Sequence, residues 1–224
     1  LLKIPAVQEK AVSFAEQRLS ESLGTKVEIG SVNLRSPQTL VLGDVQLSDK
    51  NNKVLFSSGE VTVSIFMPDL LKKKITIGEL SAKNTTALIY RKPGVTEFNF
   101  SFLTGNKKQG NNPWKLDLNA VYLTDIKVSY LDSLKHKFFK GDLRNSQIVL
   151  SRFDTDSLKF QTQSALIDGL NVELSQISEK KKEPAGNGKT KPWEVLVNYL
   201  SIKNSSLRYD VLNRPVIRNR VDWN

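Results

Sequence analysis

Few residues in this chain have the type and spacing for covalent chemistry. His136 is the one histidine, it stands between Lys135 and Lys137, and there is no cysteine. One histidine without thiolates cannot assemble the usual zinc ligand sets, and His136 reads as a surface residue on a strand or turn. Asp154 and Asp156 are close in sequence, but nothing beside them marks a general acid and base, so they read as loop solvation. Neither a Gly-rich phosphate loop nor a Gly-x-Ser-x-Gly elbow occurs. The expectation is a protein that is not an enzyme and has no metal and no cofactor. The chemistry left to it is burial of apolar surface.

Apolar residues make up 39% and charged residues 25%, the balance of a folded chain. The net charge of +10 suggests an anionic partner: lipid headgroups, lipopolysaccharide or nucleic acid. Much of it sits in local clusters at Lys72–Lys74, Lys107–Lys108 and Lys180–Lys182. Nucleic-acid binding needs basic residues on one face with stacking aromatics, and here the lysines concentrate in loops while the aromatics are scattered. No nucleic-acid partner is expected. No run of eighteen apolar residues occurs, so no helix is expected to span a bilayer. No complete signal peptide is visible. The chain starts on Leu1-Leu2 without a methionine and reads as cut from something longer.

The elements that must position any site follow from periodicity. Pro5 suits the first turn of a helix and Gly24 suits its end. Between them Val7, Ala11, Phe14, Ala15, Leu19 and Leu23 fall on one arc, with Glu9, Ser13, Glu16, Gln17, Ser20 and Glu21 opposite. This predicts an amphipathic helix for packing. After Gly24 the period becomes 2, as in Val61-Thr62-Val63-Ser64-Ile65. A short helical turn is expected around Pro68–Leu71. The stretches 105–113 (GNKKQGNNP) and 178–192 (SEKKKEPAGNGKTKP) read as exposed loops.

One eight-residue shape recurs. VEIGSVNL (27–34) and LVLGDVQL (40–47) each carry apolar pairs on either side of two small or polar residues. The same shape fits around Gly78-Glu79, Thr124-Asp125 and Asp168-Gly169, and a degraded copy at 200–207 has Ser205 in an apolar slot. Chance gives roughly two such matches in a chain of this composition. Leu80–Tyr90 (LSAKNTTALIY) echoes Leu200–Tyr209 (LSIKNSSLRY), and Tyr130 and Tyr209 each lie sixteen residues past a Pro-Trp pair, at Trp114 and Trp193. Diverged strand–strand units are expected. The middle pair suits either a hairpin turn or a bulge. A bulge is chosen, because Arg35–Thr39 already supplies the better turn and hairpin arms would be too short. Bulges in successive strands bend a sheet and keep both apolar pairs on one side. That face needs a cover: either a second sheet, or an apolar ligand in an open groove.

The order LLKIPAVQ, amphipathic helix, LGTKVEIGSVNL, LVLGDVQLSD, DLLKKKITIGELSAKN and GVTEFNF resembles the amino-terminal region of the TamB family, in its Bacteroidota form. The likeness is strongest over residues 1–103. This family belongs to the AsmA-like group and is similar in architecture to chorein-type lipid bridges. The resemblance implies a mainly β protein: a curved antiparallel, taco-like open β sheet forming a repeated β groove over 25–224. Residues 1–24 would be an amphipathic helix following a missing inner-membrane anchor. It implies a non-enzymatic periplasmic protein that shields phospholipid or other acyl chains between inner and outer membrane, with a barrel partner of the TamA type. The alternative is a structural scaffold for outer-membrane protein assembly or secretion, with a closed, lipid-free β core.

Candidate groove-lining residues are Val61, Val63, Ile65, Ile75, Ile77, Val128 and Tyr130. A one-residue slip of register would put them on the other face. Leu1, Leu2, Ile4, Val7 and Phe14 are the membrane-proximal candidates. Phe98, Phe100, Phe102 and Leu103 read as a plug at the sheet edge or as a hydrophobic gate, and Trp114 and Trp193 as strand anchors.

Overall fold

The computed structural model describes residues 5–70, 74–104, 115–154, 159–177 and 194–213. Helix α1 (Pro5–Leu23) leads into β1 (Val27–Ser36), β2 (Thr39–Ser48) and β3 (Val54–Ile65). A single turn, α2 (Met67–Leu70), precedes β4 (Lys74–Arg91), and another, α3 (Ser101–Thr104), follows it. Then come β5 (Lys115–Leu118), β6 (Ala120–Asp132), β7 (Lys137–Asp154), β8 (Lys159–Gln176), β9 (Glu194–Val197), β10 (Leu200–Lys203) and β11 (Ser206–Val211). The turn foreseen at 68–71 is α2, where the Asp69 carboxylate accepts the Thr76 hydroxyl at 2.6 Å.

Among the described residues, eleven strands form one sheet that does not close into a barrel, in the order β1-β2-β3-β4-β6-β7-β8-β10. Strands β5 and β6 run along β4 at one constant offset, from Lys74 opposite Lys115 to Leu80 opposite Val121, so they are one line interrupted at Asn119. In the same way β9, β10 and β11 form one line along β8.

The sheet is mixed, which corrects the antiparallel expectation. The β4 line pairs parallel with β5 and β6, and β8 pairs parallel with β9, β10 and β11. Parallel neighbours need a long crossover, whereas hairpins need only a few residues. The two long connections, after β4 and after β8, contain the polar stretches 105–113 and 178–192, whose own residues lie outside the described ones. Period-2 alternation is the same in both strand senses and carried no sign of the change.

The helix spans the expected residues and ends at Gly24, whose φ of 64° suits a residue without Cβ. Its packing face differs from the predicted arc. Val12, Ala15 and Leu23 pack on Val27, Ile29 and Val32, while Phe14 is 61% exposed and Leu19 is also exposed. Glu16 and Ser20, placed on the polar side by the sequence, face the sheet. Glu16 Oε1 accepts the Ile29 N–H at 2.8 Å and Ser20 Oγ accepts the Val27 N–H at 3.0 Å. Strand β1 is an edge strand with unpaired N–H groups, and the helix supplies acceptors to them. Hydrogen bonding to that edge outweighs a purely apolar fit and rotates the helix. The side chains of Val7 and Ala11 lie outside the described residues, as do Leu1, Leu2 and Ile4.

Candidate functional site

Directly opposed residues of paired strands share a face, so the registers define what each side of the sheet presents. One row runs Leu34, Leu40, Val63, Leu80, Val121, Ile148, Ala165, Leu200. The next runs Val32, Leu42, Val61, Ala82, Leu123, Ser146, Ile167, Ile202. Further rows pass through Ile29, Val45, Ile126, Leu143 and Leu170, and through Val27, Leu47, Phe56, Val128, Val172 and Leu207. Together they make one apolar face across every strand line. The other face carries ion pairs such as Lys83–Glu60 at 2.9 Å and Arg144–Asp168 at 2.6 Å.

What keeps the face continuous is a kink at one level of the sheet, marked by positive φ on five strand lines. Asp44, Asn84, Asp125, Gly169 and Asn204 all have φ between 50° and 72°. They lie level with Gly30, Gly59 and Arg144 on the intervening strands. Across the kink the alternation shifts by one, so Ile29 and Val32 enter the same core although three residues apart. Four of the predicted middle pairs end on a positive-φ or level-matched position: Gly43-Asp44, Thr124-Asp125, Asp168-Gly169 and Lys203-Asn204. Gly30-Ser31 lies level with them. The expected extra residue is absent here, because Ile29 pairs with Val45 and Ser31 with Gly43 without a shift of register. At Gly78-Glu79 the expectation of a bulge holds: Leu80 opposes Val63 and Ile77 opposes Ile65, so β4 carries one more residue than β3.

The kink also explains polar residues in the apolar rows. Ser58 Oγ lies 3.0 Å from the Glu60 carbonyl, 3.1 Å from the Lys83 carbonyl and 2.8 Å from Thr85 Oγ1. Ser205 repeats this, donating to the Lys203 carbonyl at 2.8 Å and accepting the Leu170 N–H at 3.1 Å. The slot that looked degraded in sequence caps backbone groups that the kink leaves without ladder partners.

Among the candidate residues, Val61, Val63, Ile65, Ile77, Val128 and Tyr130 all fall on the apolar face by register, each half-buried. Ile75 has its backbone opposite Leu116, and its side chain lies outside the described residues. The Tyr130 ring packs 5.5 Å from that of Phe98, which stacks on Phe100 at 5.5 Å. The aromatic patch therefore covers one end of the face. Leu103 is exposed, and Trp114 and Trp193 lie outside the described residues. Tyr209 stands in the row of Tyr130, through Phe139 and Leu174, as the shared spacing from the tryptophans implied.

Cover over the face is partial among the described residues. Helix α1 packs on β1 and β2, and the Phe98 segment packs at Tyr130. Among the described residues from β3 onward, only Ile126 and Ala165 are buried apolar residues of this face, and on the last strand line Leu200, Ile202, Leu207 and Tyr209 are all more than half exposed.

Sequence reasoning missed two buried carboxylates at the end of the sheet. Asp49 accepts the Tyr90 hydroxyl at 2.5 Å and the N–H groups of Asn51 and Lys53 at 2.7 and 3.0 Å. Asp132 accepts the Arg91 guanidinium (Nε at 2.9 Å) and the N–H groups of Leu134 and Lys135, both at 3.1 Å. Consecutive residues at the end of β4 thus lock the β2–β3 turn on one side and the β6–β7 turn on the other. Burial opposes ionisation of both, but hydrogen bonds outweigh it and hold each carboxyl below its ordinary value: Tyr90, Lys53 and Asn51 for Asp49, and Arg91, Lys135 and Leu134 for Asp132. Burial, with the neighbouring carboxylate, pushes Tyr90 and Tyr130 up. The only sequence signal was an Asp opening each turn, which is common. His136 is exposed in the second turn with φ 47°.

No protein-family model matches the chain, and no curated protein matches it. Among the described residues no helix is long and apolar enough to cross a membrane.

Proposed function

We propose that this chain is a lipid-conducting segment of a TamB-like periplasmic protein, in which the apolar sheet face forms a groove for phospholipid acyl chains. The observation that carries the reading is an apolar face continuous across all strand lines with only partial cover among the described residues. Two features favour a groove over a flat sheet. Positive-φ residues lie at one level on five of the strand lines, and β4 carries a bulge at Gly78-Glu79, a device that bends a sheet. An acyl chain lying on this face leaves water and gains about 0.8 kcal/mol per buried methylene. Its headgroup stays in solvent at the open side, so no catalytic group is needed. Val61, Val63, Ile65, Ile75, Ile77, Val128 and Tyr130 are the proposed lining. The inner membrane, reached through an anchor preceding this segment, and an outer-membrane barrel of the TamA type are the proposed partners at either end.

Native mass spectrometry with lipid extraction, on chain purified without detergent, tests this. Near-stoichiometric phospholipid is expected, and is expected to be lost in Val63→Asp/Ile77→Asp while the circular dichroism of the fold persists. Lipid-free, monodisperse protein would instead favour the scaffold reading with a closed core.

A further inference from the structure

We infer that the aromatic end of the sheet holds a binding site for a singly charged phosphodiester headgroup, an inference that rests on the lipid-conducting reading above. A cavity of about 590 Å³ lies between the β2–β3 turn and the segment after β4. Lys50, Asn51, Lys92, Glu97, Phe98 and Phe102 line it. That volume is within the range of small-ligand sites.

Its charge selects the ligand. Among the described residues neither lysine is paired with a carboxylate: Lys50 donates to the Gly24 carbonyl and lies 5.2 Å over the Phe102 ring, and Lys92 donates to Asn51 Oδ1 at 3.3 Å. Each ammonium has three donors, so both retain capacity for phosphate oxygens. Glu97 is the one carboxylate of the lining, and Ser101 Oγ donates to it at 3.4 Å. Asp49 is enclosed behind the Tyr90 hydroxyl and does not line the cavity. Two cations against one carboxylate suit a ligand of charge minus one better than a dianionic monoester.

Its walls connect it to the face. Phe98 lines the cavity and also packs on Tyr130, which belongs to the apolar rows. A phosphodiester held by Lys50 and Lys92 can therefore pass its hydrocarbon over Phe98 onto Tyr130 and the sheet.

The test is calorimetric titration with dihexanoylphosphatidylglycerol below its micellar concentration, beside uncharged dihexanoylglycerol and inorganic phosphate. The expected result is that Lys50→Gln/Lys92→Gln weakens binding of the phospholipid at least about tenfold, the scale of lost charged hydrogen bonds. Binding of dihexanoylglycerol stays unchanged, and inorganic phosphate binds much more weakly than the phospholipid. Unchanged phospholipid affinity in the double variant overturns the headgroup site and leaves the lipid reading standing. Inorganic phosphate binding as tightly as the phospholipid overturns it too, since the site then ignores the chain. Equal loss of dihexanoylglycerol shows that the lysines act through the fold and overturns it. If neither lipid binds the unaltered chain, the lipid-conducting reading falls and this inference falls with it.

Discussion

Asp49 and Asp132 decide how the ends of the strands are held, and both are nearly inaccessible to solvent. Their carboxyls are held below the ordinary value near 3.8, so the folded state binds fewer protons than the unfolded state in that range. Their contribution is complete at neutral pH and is lost as pH falls through the depressed values. Urea midpoints are therefore expected to begin dropping as pH falls toward about 4, near the ordinary carboxyl value, and to go on dropping below it. In Asp49→Asn/Asp132→Asn the drop is expected to be smaller. At pH 7 Asp49→Asn alone is expected to cost about 2 kcal/mol, because the Tyr90 hydroxyl and two turn N–H groups lose a charged acceptor.

Among the elements, the kink row is the most exacting part of the strands. A β-branched side chain at positive φ is strained, so Asp44→Val is expected to lose about 1–2 kcal/mol in chemical denaturation, and Asp44→Gly far less. Gly169 is more constrained still. Its φ is 72° and an added Cβ would lie 2.9 Å from Arg144 Cβ, so Gly169→Ala is expected to lower the melting temperature despite adding only a methyl. Both predictions hold with or without lipid, because they concern the backbone that shapes the face.

For the whole molecule the question is whether the apolar face is a core or a surface. Ile126 is buried, and Ile126→Ala is expected to cost about 2–4 kcal/mol, like any core truncation. Leu123 lies on the same strand and the same face but is half-buried. Leu123→Ala is expected to cost less, about 1–2 kcal/mol in lipid-free protein, since part of its side chain stays in water on folding. With phospholipid bound, the difference between Leu123→Ala and the unaltered chain is expected to widen in thermal denaturation, because ligand binding adds to stability in proportion to affinity. An equally large cost at both positions without lipid would mark a sealed interior.

The recurring eight-residue shape determined much of this fold by itself. It fell on β1, β2, β4, β6, β8 and the β10–β11 line, predicted one apolar face and marked most of the level of the positive-φ residues, because side-chain period and tolerance for positive φ are local properties. Asn84 and Asn204 were legible as equivalents through LSAKN and LSIKN, and both adopt positive φ. Tertiary structure decided the rest. Strand sense depends on how long connections cross, and the same alternation serves parallel and antiparallel neighbours. The helix face was set by the unpaired N–H groups of β1, which recruit Glu16 and Ser20, and no helical periodicity encodes an edge contributed by another element. The links from Tyr90 to Asp49 and from Arg91 to Asp132 each join residues 41 positions apart. Only a register that places the end of β4 between two turns brings those groups within hydrogen-bonding reach.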